Sequence, residues 1–65
     1  MITEVIKWTN GMVMVFDDAG EQMSDYQGQY QKVRERILRN APPSTVFRHA
    51  DWNTQANRQV ARDEW

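Results

Sequence analysis

The chain has 65 residues, 40% of them hydrophobic, with eight Lys or Arg, nine Asp or Glu and no cysteine. One domain of this size sits near the lower limit for folding without staples, because it buries only about 60% of its unfolded surface. The composition excludes disulfides and thiolate metal centres, and no apolar run approaches the ~20 residues that cross a bilayer.

Met1-Ile2-Thr3-Glu4 has neither a basic segment nor an apolar run of the kind a signal peptide carries, so the expectation is a cytoplasmic protein with no membrane partner. The net charge of −1 hides a strong asymmetry. Residues 1–25 set Lys7 against Glu4, Asp17, Asp18, Glu21 and Asp25, a balance of −4. Residues 26–49 set Lys32, Arg34, Arg36, Arg39 and Arg48 against Glu35, a balance of +4. An acidic hairpin end and a basic helix are therefore expected.

The stretch from Ile2 to Met23 organises the chain. Asn10-Gly11 is flanked by β-branched and aromatic residues, and both residues tolerate the positive φ of a tight turn. This predicts strands over Ile2–Trp8 and Met12–Asp17. A two-residue turn would oppose Trp8 to Val13, Ile6 to Val15 and Val5 to Phe16. Alternation then gathers Ile6, Trp8, Val13 and Val15 on one face, and Val5, Met12, Met14 and Phe16 on the other. Both faces are apolar, unlike a sheet packed on one side only. Asp17-Asp18-Ala19-Gly20 reads as a second turn, and Glu21–Tyr26 as a short, polar edge strand.

Gly28 breaks that strand. Ser24-x-x-Gln27 matches a capping box, but a helix starting there would hold Gly28 inside it at a cost of up to ~1 kcal/mol. The helix is therefore expected from about Gln29 to Asn40, with Tyr30, Val33, Ile37 and Ala41 as its apolar stripe and Leu38 at the margin. Pro42-Pro43 ends it. Thr45–Trp52 reads as a fourth strand, and residues 53–65 as a tail with little regular structure, docked if at all through Val60 and Trp65. The expected fold class is α+β: a small antiparallel sheet in the order β-β-β-α-β, with one amphipathic helix packed on one face. The domain spans residues 1–52.

No catalytic constellation emerges. His49 is the single histidine, and no spacing of acidic residues converges on it as metal ligands would. Asp17-Asp18 before Gly20 is turn chemistry, and three scattered glycines make no phosphate loop. The expectation is a non-enzymatic protein without cofactor or metal.

Two surfaces remain as binding candidates. At ~100° per residue, Lys32, Arg36 and Arg39 fall within a strip of roughly 60° beside the apolar stripe. With Arg48 they suit a phosphate backbone or an acidic protein patch, although a pI of 5.7 speaks against a dedicated nucleic-acid binder. The other candidate is the second apolar sheet face, since one helix covers only one side. Whichever side that is, either Trp8 with Ile6, Val13 and Val15, or Met12, Met14 and Phe16 with Val5, is left open as the contact, and methionine-rich apolar surface adapts to partners.

NGMVMVFDDAGEQMSDYQG, followed by KVRERIL, APP, VFRHADW and a closing RDEW, resembles short uncharacterised proteins carried by bacteriophages and prophages. The resemblance implies a small accessory protein of host cytoplasm, of the class that inhibits host defence or modulates host machinery. It assigns no residue. The expected function is binding to a protein, a host factor or a second copy as a homodimer. Association with nucleic acid through the basic helix is the alternative.

Overall fold

A computed structural model describes all of residues 1–65. The fold is α+β: a five-stranded sheet in the order β3-β2-β1-β4-β5 carries one helix. The strands are β1 (Ile2–Trp8), β2 (Met12–Asp17), β3 (Gly28–Gln29), β4 (Val46–Ala50) and β5 (Asn57–Val60), and the helix α1 spans Tyr30–Asn40. The sheet is mixed rather than antiparallel throughout. β4 runs parallel to β1, because α1 carries the chain across the sheet and returns it on the far side of β1.

The β1–β2 hairpin lies where the Asn-Gly pair places it, but its register differs by one residue from that of a two-residue turn. Lys7 pairs with Val13, Ile6 with Met14 and Val5 with Val15. The loop is Thr9-Asn10-Gly11: Gly11 sits at φ +89° and donates its N–H to Trp8 O, while Asn10 Oδ1 accepts from Met12 N. This is the three-residue loop with a left-handed glycine at its end. A slip of one residue exchanges faces. Val5 therefore joins Val13 and Val15 on the buried side, and Ile6 and Trp8 join Met12, Met14 and Phe16 on the other. A bulge between Ile2 and Glu4 inserts one further residue and turns Ile2 into the core as well.

The core lies between that valine face and α1. Ile2, Val5, Val13, Val15 and Phe47 from the sheet meet Val33, Ile37 and Ala41 from the helix stripe. Tyr30 opens α1 without a capping side chain; its N–H bonds to the carbonyl of Gly11, so the hairpin loop satisfies one orphan amide of the first turn. The expected strand over Glu21–Tyr26 is reduced to a single bridge from Gln22 to Phe16, after which Ser24–Tyr26 forms a 3-10 turn. Strand pairing resumes only at Gly28–Gln29.

The C-terminal stretch departs most from expectation. Asp51 Oδ1 accepts from the amides of Asn53 and Thr54, a side-chain turn that reverses the chain and returns Asn57–Val60 along β4. Trp65 then packs into the core against Tyr30 and Phe47, with ring centroids at 5.1 and 5.2 Å. Tyr30 Oη donates to Trp65 O at 2.6 Å. Arg62 donates to the carbonyls of Leu38, Ala41 and Pro42, capping the end of α1 from a distant segment.

Candidate protein-binding face

Every element outside the sheet that joins the core does so on the valine side. α1 contributes Val33 and Ile37, its C-cap adds Ala41, the turn before it adds Met23 and Tyr26, and the C-terminus adds Trp65. Val60 also lies on this side, since it pairs with Phe47, which pairs with Val5. The opposite face has no helix over it.

That face is apolar across three strands. β1 supplies Ile6 and Trp8, β2 supplies Met12, Met14 and Phe16, and the parallel pairing of β4 adds Val46 beside Glu4. Ile6, Trp8, Met14, Phe16 and Val46 are partly exposed, while Met12 is 41% exposed. Trp52, 50% exposed, meets Trp8 edge to face at 5.5 Å, and its N–H bonds to Thr9 Oγ1, so the β4–β5 loop shields one flank of Trp8 and extends the apolar surface. Trp8 Nε1 is enclosed without a hydrogen-bond partner.

One ion pair crosses the face. Arg48 Nε lies 2.8 Å from Glu4 Oε2, and Arg48 Nη1 reaches Asn57 Oδ1 at 3.3 Å. With both side chains about one-third exposed, the pair adds less than about 1 kcal/mol to stability. It fixes a polar mark on an otherwise oily surface.

The four cations expected to act together are divided by the sheet. Lys32, Arg36 and Arg39 are exposed on α1, with Arg36 stacked over Tyr26 at 5.1 Å. Arg48 stands on the other side, committed to Glu4. Of the eight residues named as binding candidates, Trp8, Met12, Met14, Phe16 and Arg48 share the open face. Ile6, Val46 and Trp52 complete it; the two-residue register set Ile6 and Trp8 apart from the methionines, Val46 was missed through the parallel pairing, and Trp52 through the unrecognised turn at Asp51.

Asp17 Oδ1 accepts from the amides of Ala19 and Glu21 at 2.9 Å each, so this carboxylate serves its own turn. No group of three His, Asp or Glu side chains is placed to hold a metal. No helix is long and apolar enough to cross a membrane. No protein-family model, curated protein or solved structure matches the chain.

Proposed function

We propose that the protein is a non-enzymatic protein-binding module whose contact surface is the helix-free face of the sheet. The observation that carries this reading is the continuous surface of Ile6, Trp8, Met14, Phe16 and Val46, partly exposed and bordered by exposed Met12 and Trp52. Full burial of one large apolar side chain stabilises by ~1.5–3 kcal/mol, so covering what remains exposed of five such residues, at most about a third of each, offers roughly 1–5 kcal/mol before the cost of association. A 65-residue domain gains little by leaving that unrealised. The simplest occupant is a second copy in a two-fold dimer, where Glu4 and Arg48 would set the register of the two faces. A host protein is the other occupant, in keeping with the resemblance to phage-borne accessory proteins.

Sedimentation across a range of concentrations tests the dimer. Association that disappears on Met14→Lys, in a variant with unchanged melting temperature, supports the reading. Association that survives Met14→Lys and is lost on Arg36→Glu would instead move the contact to the helix. The second reading, a nucleic-acid-associated protein, rests on the exposed strip of Lys32, Arg36 and Arg39. It forecasts binding that weakens steeply with salt, whereas an apolar contact does not.

A further inference from the structure

We propose that the cavity at the loop end of β1, β4 and β5 binds a phosphate dianion, free or as the head group of a small phosphate ester. Strand pairing builds the site. Lys7 is the register partner of His49 across β1 and β4, and His49 is the partner of Arg58 across β4 and β5. Paired residues project from the same face, so three basic side chains stand in a row on adjacent strands, about 5 Å apart. Lys7 and Arg58 thus stand two strands apart, about 10 Å, with the imidazole of His49 between them.

None of the three basic groups is held in an ion pair. Lys7 Nζ rests over the Tyr30 ring at 4.0 Å, and the chain's two ion pairs, Met1 with Asp18 and Glu4 with Arg48, involve none of the three. His49 Nε2 is enclosed and unpartnered. Asp51, the acidic residue at the cavity, directs Oδ1 to the amides of Asn53 and Thr54. The cavity itself holds about 550 Å³ and is lined by Lys7, His49 and Arg58, with Thr9, Gly11 and Ala56 at its rim. That volume falls within the ~300–1,000 Å³ of small-molecule sites. A dianion bridging Lys7 and Arg58 would give both cations charge-assisted hydrogen bonds.

Amide chemical shifts, followed while the protein is titrated with inorganic phosphate, adenosine monophosphate and adenosine at low salt, test the site. The expected result is saturable shifts at Lys7, His49 and Arg58 with the first two ligands and none with adenosine. Tighter binding of the monophosphate than of phosphate identifies an ester as the ligand, and equal binding identifies the free anion. Arg58→Gln, on an exposed edge strand, should weaken binding about tenfold or more, as loss of a charge-assisted bond does. Arg39→Gln should leave it unchanged. Lys7→Gln should act as Arg58→Gln does; should it fail to fold, the Arg58 variant decides. Non-saturating shifts spread over Lys32, Arg36 and Arg39, equal weakening by Arg39→Gln, or binding of adenosine would overturn the proposal. So would a single-stranded oligonucleotide that binds more tightly than the monophosphate with steep salt dependence, since that is backbone tracking.

Discussion

Replacing Trp65 by Ala removes a side chain that is 3% exposed, packed against Tyr30 at 5.1 Å and Phe47 at 5.2 Å. Truncating a buried tryptophan costs ~3–5 kcal/mol. At roughly 0.05–0.15 kcal/mol per residue, a domain of this length has about 3–10 kcal/mol in all, so the loss takes a third of its stability at the least and all of it at the most. At about 4–8 °C per kcal/mol, the melting temperature should fall by at least about 12 °C. Trp52→Ala is the control: Trp52 is 50% exposed and loses one edge contact with Trp8, worth about 0.5–1.5 kcal/mol. Urea unfolding followed by far-ultraviolet circular dichroism measures both without relying on tryptophan fluorescence. A Trp65→Ala variant within about 1 kcal/mol of the parent would refute the docking of the C-terminus into the core.

Gly11→Val should cost about 1–3 kcal/mol through backbone strain alone, since Gly11 holds φ +89° with open space where a Cβ would stand; an unchanged thermal melt would mean the loop is built differently. Ile37→Ala should cost ~2–5 kcal/mol because Ile37 is fully buried. Arg36→Glu should cost no more than the ~0.5–1 kcal/mol of its contact with Tyr26, and equal losses in the two variants would contradict the assignment of helix faces. Arg62→Ala should destabilise by about 1–3 kcal/mol, because three carbonyls at the end of α1 lose their donor; Arg62→Lys, with a single ammonium, should recover only part of this in the same urea titration.

The helix was legible because its signals are local and redundant. Tyr30, Val33, Ile37 and Ala41 recur at helical spacing, Gly28 precedes them and two prolines follow, and α1 spans Tyr30–Asn40. The hairpin was legible in place but not in register. Asn10-Gly11 suits a two-residue loop and also a three-residue loop ending on a left-handed glycine, and the choice between them exchanges every side chain between faces. β5 was hidden because Asn57, Arg58 and Gln59 are exposed on an edge, leaving Val60 as its one buried residue. A closer reading of Asp51 followed two residues later by Asn53 would have suggested the turn that brings it back.

The open face was legible in kind and inaccurate in membership. Too many apolar residues for one helix to cover implied an uncovered surface, but the two-residue turn set Ile6 and Trp8 on the face opposite Met12, Met14 and Phe16, and the observed register brings these five together. Val46 entered through the pairing of β4 with β1, strands distant in sequence, where no local pattern points. The grouping of Arg48 with the helix cations failed for the same reason: its side of the sheet depends on the register of β4 against β1.

The most direct test is retention of protein by an immobilised bait, presented both with untagged copies of the chain and with bacterial lysate. Three baits are compared: the parent chain, Met14→Lys on the open face and Arg36→Glu on the helix. If the helix-free face is the contact surface, the parent and Arg36→Glu retain the same protein, with less than about twofold change between low and moderate salt, and Met14→Lys loses it. A parent bait that retains nothing, or a Met14→Lys bait that retains as much as the parent, would contradict that claim.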